Sequence, residues 1–485
     1  METKAQEVRI PRRRVIAAVA ATAVLLLAAA FFGRAALRRG TVLAAIPQRP
    51  DLGSLPSELG TEFDASEAMA HSYVHSVDGL ARLSRLYHAN SFYNEALQCY
   101  EALRRLEPRN AKWPHLESSI LSQFGRQDEA LPREEAAVAL APDYIPARLR
   151  LGDELLMANR RQEAAAAYSQ VLEREPGEPY AMLGLAKCDV AAGDWSKAIE
   201  RLRECVKLHP DFIGAMSLMV TTYEHMGRQA EANAMKNVIG RREFTDLSDP
   251  WLDGLIDDCF DSYRLSVVAA VADFSGKRDA AKQMLERAIA FAPKNSSFHR
   301  QLAIKLALDK DLPSACEHLE RAVALSPTDN DSWLLLYQYR KMMGQAPAAE
   351  QALRSGLANC PQSASLHIEE ARRLSSAGRN EEAIGEFKEA YRLNPSESGP
   401  LVQLSTVLLS LNRGDEAVAA LLEGLGKQPE DPAALAMLTY VYIVSGNEAQ
   451  ARQWWAHVRL QPRTPPDMVR SLQNEYRQRF GRDLD

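Results

Sequence analysis

From residue 77 to residue 465 the apolar positions repeat as a double pattern. A helical stripe is followed by a short polar break and then by a second helical stripe. One such pair of helices cannot bury its own apolar face, so the pairs must stack into an array. Prolines after each second stripe set the period: Pro108, Pro142, Pro176, Pro210, Pro293, Pro327, Pro361, Pro395, Pro429 and Pro462. Successive spacings are 34, except 83 between Pro210 and Pro293 and 33 at the end. This frame predicts eleven units, starting at residues 77, 111, 145, 179, 213, 262, 296, 330, 364, 398 and 432. The long interval is two units plus 15 residues, which isolates residues 247–261 as an insertion.

Two further positions test the frame. The twentieth residue of every unit is alanine: Ala96, Ala130, Ala164, Ala198, Ala232, Ala281, Ala315, Ala349, Ala383, Ala417 and Ala451. A side chain this small lets two helices approach closely. The fifteenth is Gly125, Gly193, Gly227, Gly276, Gly344, Gly378 or Gly446, or else Asn159 or Asn412. Glycine and asparagine tolerate the left-handed conformation that ends a helix, and proline at position 32 stops the second helix. Unit 5 departs most, with Phe244 at the proline position. Unit 2 carries Pro114 and Glu117 where apolar residues are usual, which predicts a late start for its first helix.

A small residue at position 8, Ala at 20, often Ala at 27 and Pro at 32 resemble the tetratricopeptide repeat family. Gly152, Ala164, Tyr168 and Pro176 carry the pattern in one unit. Ala303, Ala315, Ala322 and Pro327 carry it in another. The resemblance implies an all-α, right-handed superhelical solenoid of about eleven helix-turn-helix repeats. It also implies that positions 2, 5, 9 and 12 of each first helix line a concave groove for a protein or peptide partner. The groove candidates are Arg85, His88, His115, Asp153, Lys187, Glu224, Arg300, Gln338, Lys341 and Arg372. No unit has Asn at position 9, so the carboxylate-clamp set of some family members is missing. In unit 11 the same positions are the apolar or small Ala433, Ala436, Tyr440 and Ile443, expected to lie under a C-terminal cap, with an apolar partner segment as the alternative occupant. Residues 466–485 supply that cap: Met468, Val469, Leu472, Tyr476 and Phe480 share one helical face.

Outside the repeats, Val15 to Phe32 is uncharged, with Arg12, Arg13 and Arg14 before it and Arg34, Arg38 and Arg39 after it. A run of this length matches a bilayer core, and the excess of basic residues on the N-terminal side favours an inside N-terminus. The expectation is a basic segment at 1–14 and a transmembrane signal anchor at 15–33. A cleaved signal peptide ending at Ala28–Ala30 and a twin-arginine signal are the alternatives. Residues 34–76, with Pro47, Pro50, Pro56, Gly53 and Gly60, read as an extended linker and lead-in. The predicted organisation is completed by repeats 1–5 at 77–246, an inserted helix at 247–261 and repeats 6–11 at 262–465. The expected location is a single-pass membrane protein, in the bacterial inner membrane with the repeats in the periplasm.

In the insertion, Asp249 and Pro250 form a helix-start signature. Trp251, Leu252, Leu255, Ile256, Cys259 and Phe260 make one apolar face. Asp249, Asp253, Asp257 and Asp261 recur on the other side, read as a solvated acidic face that Arg241 and Arg242 could pair with; a partner-facing patch and a metal site are the alternatives. The segment is expected to pack at the seam between two repeat blocks, with Asp261 capping the next helix.

Composition narrows the chemistry. The net charge of −6 lacks the basic face that broad nucleic-acid binding needs. None of the six cysteines forms a CxxC, so they read as small buried residues; a Cys188–Cys205 bridge is an alternative in an oxidising compartment. Phosphate loops, HExxH and nucleophile elbows are missing, so no enzyme, cofactor or small-molecule substrate is predicted. The His71/His75 pair has metal-ligand spacing but no third ligand nearby, and no metal is predicted. The leading reading is a membrane-tethered protein-interaction scaffold. The alternative is a subunit of a bacterial envelope assembly or export complex of the polysaccharide, cytochrome-maturation or pilus type.

Overall fold

The computed structural model describes residues 12–53, 55–239, 248–461 and 464–484, with backbone alone for 12–21 and Val24. Among these residues there are twenty-six α-helices and no strand. The chain divides into two compact units, residues 1–293 and 294–485.

In the first unit, α1 (Arg12–Ala45) and α2 (Ser57–Ala70) precede the repeats. Repeats 1–5 are the pairs α3/α4 (Ser76–Ala89, Tyr93–Leu106), α5/α6 (Lys112–Gln123, Gln127–Leu140), α7/α8 (Ile145–Met157, Arg161–Arg174), α9/α10 (Pro179–Ala192, Trp195–Leu208) and α11/α12 (Ile213–His225, Gln229–Ile239). The insertion holds α13 (Pro250–Asp253) and a 3-10 turn, Gly254–Asp258. Repeat 6 follows as α14/α15 (Ser262–Phe274, Arg278–Phe291).

The second unit contains α16/α17 (Ser296–Leu308, Leu312–Leu325), α18/α19 (Asn330–Met342, Ala346–Asn359), α20/α21 (Ala364–Ser376, Asn380–Leu393), α22/α23 (Gly399–Ser410, Gly414–Lys427) and α24/α25 (Pro432–Val444, Glu448–Leu460). It closes with α26 (Pro466–Phe480). Within each unit, second helices pack on the first helix of their own repeat and, except for α12 before the insertion, on that of the next, as in α4 with α5 and α17 with α18.

Two local constraints set every turn. All eleven residues at position 15 have positive φ, including Ser91 (68°) and Lys310 (67°), which are neither glycine nor asparagine. The repeat therefore imposes the left-handed conformation even where the side chain opposes it. The eleven alanines at position 20 are all at most 3% exposed. Glycine serves close approach as well as turns: a Cβ added at Gly152 or Gly184 would collide with the Tyr168 ring, which packs against both backbones. Six of the eleven first helices are capped by acceptor side chains, such as Asp329 to the Ser332 N–H and Asp431 to the Ala433 and Ala434 N–H groups.

Several expectations are corrected. The first helix of repeat 2 starts at Lys112, one residue into its unit rather than late. Pro114 falls in its first turn, where a missing N–H is harmless. Buried Glu117 is paired with Arg104 and Arg133. Residues 34–76 are mostly helical, because α1 continues to Ala45 and α2 packs on α3. Gly79 of α3 has no room for a Cβ against the backbone of Ala70, so the contact is close. His71 and His75 flank the break between α2 and α3, so they share no helix face. All six cysteines are free and buried, Cys188 and Cys205 included. The boundary of the compact units falls after Pro293, not at the insertion.

The C-terminal helix covers the last repeat. Leu472 and Tyr476 of α26 are buried in one cluster with Leu435, Ala436, Leu438 and Ile443, and Tyr440 packs against it. The Tyr476 hydroxyl donates to Glu448 (2.5 Å) and accepts from Arg452 (2.7 Å). The apolar end of the first-helix face is thus filled by the chain itself.

Among the described residues no helix is long and apolar enough to cross a membrane. The side chains of Val15 to Ala21 and of Val24 lie outside that description. Residues 1–11, Arg241, Arg242, Phe244 and Pro462 lie outside it altogether.

Two substitutions in repeat 7 are expected to move stability in opposite directions. Lys310→Gly removes a left-handed lysine and is expected to stabilise by about 0.5–1 kcal/mol. Ala315→Leu overpacks a fully buried contact and is expected to destabilise by about 1–3 kcal/mol. Urea unfolding of the two variants checks both signs.

Candidate functional site: the occupied first-helix face of repeats 1–3

The insertion is not one amphipathic helix. Asp249 caps a single turn by accepting from the Trp251 and Leu252 N–H groups (3.3 and 3.4 Å). Gly254 then opens the tighter 3-10 turn. Asp253 holds the start by accepting from the Asp249 N–H and the Ser248 hydroxyl, both at 3.0 Å. The 3-10 pitch brings every third residue to one side, which is how Asp258 is carried inward with Leu255 instead of joining a polar outer row.

The segment lies across the first helices of repeats 1 and 2 and the start of repeat 3. At its N-terminal end, His115 is fully buried between two carboxylates. Its Nδ1 is 2.7 Å from Glu134 Oε1 and its Nε2 is 2.8 Å from Asp249 Oδ2. Only the imidazolium has two N–H donors to satisfy both. Burial pulls the pKa of His115 down, but the hydrogen bonds to Asp249 and Glu134 outweigh it and raise it to about 9. Burial pushes Asp249 up, but His115, Tyr144 and Arg150 outweigh it and hold the carboxyl below its ordinary value. The Tyr144 hydroxyl donates to Asp249 Oδ1 (2.6 Å), and its ring stacks on Trp251 at 3.7 Å.

At the C-terminal end the contacts are largely to main chain. Asn90 donates to the Asp258 carbonyl (2.8 Å) and accepts from the Phe260 N–H (2.7 Å). Arg85 pairs with the Asp258 carboxylate (2.6 Å) and donates to the Gly254 carbonyl (2.8 Å). Arg287 of repeat 6 donates to the carbonyls of Ile256, Asp257 and Cys259 at 2.7–3.1 Å. Arg264 returns to repeat 1 through the His88 carbonyl (3.1 Å). The segment therefore joins repeat 6 to repeats 1 and 2 inside one unit, which is why the compact boundary falls later.

The predicted groove residues separate into groups. Arg85 and His115 meet the insertion. His88 is buried beside Tyr100, and burial followed by the nearby Arg264 and Arg150 charges lowers it to about 3. Asp153 and Lys187 pair with each other (3.1 Å), and Asp153 also accepts from Tyr168 (2.9 Å). Glu224 pairs with Lys236 at 2.6 Å. Arg300 is held by Asp329, the cap of α18, at 2.5 Å. Gln338 is half-buried, and exposed Lys341 lies over the Tyr337 ring. Arg372 is half-exposed between Glu369 and Gln403. The acidic row is corrected in part: Asp249 is buried, while Asp253 and Asp257 are exposed and Asp261 caps α14 as expected; Asp258, outside that row, is the one paired with Arg85.

Asn90, Tyr144, Arg287 and the buried Glu134 and Glu154 were not legible as site residues. Charged residues on the inward stripes of repeats 2 and 3 were the available signal. Among the described residues, Glu134 Oε2, Glu154 Oε2 and Arg150 Nε are buried without a hydrogen-bond partner.

Tetratricopeptide repeat models match residues 155–211, 271–330 and 374–439. The chain is 24% identical over 311 residues to the protein CTR9 homolog of Arabidopsis thaliana, covering 61% of this chain and 27% of that protein. It is 30% identical over 94 residues to the small glutamine-rich tetratricopeptide repeat-containing protein 2 of Mycosarcoma maydis, covering 19% and 27%. The matches thus span about a quarter of those relatives' lengths. Among solved structures, yeast Tom70 aligns with a TM-score of 0.37 at 13% identity, covering 83% of this chain and 96% of that one. MamA aligns at 0.30 and 18%, covering 35% and 92%.

His115 gives this site a pH dependence. Its folded value of about 9 lies above the ordinary 6.5, so its contribution is full below about 6.5 and is lost as pH rises through about 9. Asp249, held low, contributes above its ordinary range and loses that contribution in acid. Urea unfolding at neutral pH and above pH ~9 is expected to show weaker stability at the higher pH. His115→Ala leaves two buried carboxylates without their cation and is expected to cost about 3–5 kcal/mol, abolishing that pH step.

Proposed function

We propose that this chain, which carries tetratricopeptide repeats, is a non-catalytic protein-interaction scaffold that holds a peptide segment on the first-helix faces of its repeats. The observation that supports this most directly is the insertion itself. Repeats 1–3 already grip a turn of polypeptide through Asn90, Arg85, His115 and Tyr144, with main-chain and side-chain groups both read. Such a surface works by preorganised donors and a few anchors rather than by reacting atoms. Half-exposed Arg372 and exposed Lys341 in the second unit, and the Asp153–Lys187 pair in the first, offer similar polar groups to a protein partner.

The scaffold is membrane-tethered in this reading. Leu25, Leu26, Leu27, Phe31, Phe32 and Leu37 of α1 are each 59–76% exposed, an apolar surface that hydrocarbon would cover. The far end of the same helix is docked: Val42 is fully buried, and Arg39 donates to the His71 carbonyl (2.7 Å). A tether rigidly joined to repeat 1 would hold the repeats at a fixed stance on the bilayer, with the repeat region in the bacterial periplasm.

Crosslinking in membranes followed by mass spectrometry tests both parts. Arg372→Glu with Lys341→Glu is expected to reduce crosslinks to the partner at least tenfold while the chain stays folded; unchanged crosslinks would remove this face from the proposal. Alkaline carbonate extraction is expected to leave the chain with the membranes, and release into the soluble fraction would sink the tether.

A further inference from the structure

We infer that the first-helix face of repeats 1–3 is a peptide site whose resident ligand is residues 248–261, and that an acidic-aromatic partner peptide displaces that segment. This rests on the scaffold reading and names the partner class for one of its faces. The recognised features are an Asp two residues before a Trp, followed by a second Asp after a tight turn, as in Asp249, Trp251 and Asp258.

Four observations carry it. Recognition is directed at main chain as well as at side chains. Asn90 takes both a carbonyl and an N–H, and Arg85 takes a carbonyl with the Asp258 carboxylate. The main-chain contacts hold any peptide of that shape, and the Arg85–Asp258 pair selects an acidic one. Specificity is added by His115 for Asp249 and by the Tyr144 ring for Trp251.

The segment is an excess over the repeat period, so it is not part of any helix pair. It is also weakly structured in itself, one α-helical turn and one 3-10 turn. Finally, it fits incompletely. Around the His115–Asp249 pair, Glu134 Oε2 and Arg150 Nε stay buried without a hydrogen-bond partner among the described residues. An apolar cavity of about 460 Å³ remains between Leu252, Leu255 and Ile256 of the segment and Val268, Val271 and Met284 of repeat 6. A peptide that offers a donor to Glu134 and an acceptor to Arg150 gains what the resident lacks. Because the segment also holds repeat 6 through Arg287, displacement removes that link and leaves the direct contact of Arg264 with repeat 1.

The test uses a fluorescently labelled peptide of residues 248–261, with Cys259→Ser, and the full chain. The unmodified chain is expected to bind it weakly. The variant Asp249→Ala/Trp251→Ala/Asp258→Ala empties the site in cis and is expected to bind at least tenfold more tightly. Adding Arg85→Glu to that variant is expected to abolish the gain, and a peptide with its aspartates changed to asparagine is expected not to bind. A variant that stays helical and does not bind, or that binds regardless of Arg85, overturns the proposal. A variant that loses helicity shows a structural strut and overturns it too. Independently of any variant, amide hydrogen exchange in the unmodified chain is expected to be faster at 248–261 than in α3, α5 and α7; equal protection would also refute it. Loss of peptide binding with retained crosslinks at Arg372 and Lys341 would sink this inference alone, leaving the scaffold reading in place.

Discussion

The close contact between the two helices of each repeat is the constraint on which the remaining structure depends. A methyl group at position 20 sets the interhelical distance, and a left-handed residue at position 15 reverses the chain after each first helix. Neither tolerates much variation. Alanine is kept at all eleven positions, and Ser91 and Lys310 are forced into a conformation that costs free energy. Once these two features hold, each second helix presents its outer face to the next repeat, and stacking buries what a single pair leaves open.

Stacking also decides which surfaces stay free. The second unit ends under α26, which covers Ala436 and Ile443 and removes an apolar patch that would otherwise face solvent. The first unit begins with α1 docked through Val42 and with α2 packed on α3. Both termini of the repeat region are therefore closed by the chain's own helices. The first-helix face of repeats 1–3 is covered by a different device, a short polar and aromatic segment fixed by a buried imidazolium. Buried charge of this kind adds little net stability against an apolar alternative, but it is costly to break unevenly and it fixes register.

Much of the fold was legible in residue spacing, because the 34-residue period is a local covalent fact repeated eleven times. The proline and alanine frame located every helix pair to within a residue or two. The site was less legible. His115 and Arg85 were found as first-helix positions, but their partners Asp249 and Asp258 lie more than a hundred residues away in sequence. The four-residue acidic spacing looked like a solvated helix face because the pattern assumes an α-helical pitch. Gly254 and the change to a 3-10 turn altered that pitch. Extended character was assigned to residues 34–76 from prolines and glycines, yet α2 begins right after Pro56, contains Gly60 and is held by packing against α3.

The sequence by itself determined the repeat, its turns, its buried alanines and the fact that residues 247–261 stand outside the period. Those features depend on short-range sterics, which spacing and side-chain size express directly. Only the tertiary structure decided where the extra residues go. Their position depends on the curl of five repeats, which brings Asn90 and Arg85 opposite Asp258 and places His115 between Glu134 and Asp249. That curl is the accumulated sum of small angles at each helix contact, which no single repeat encodes legibly.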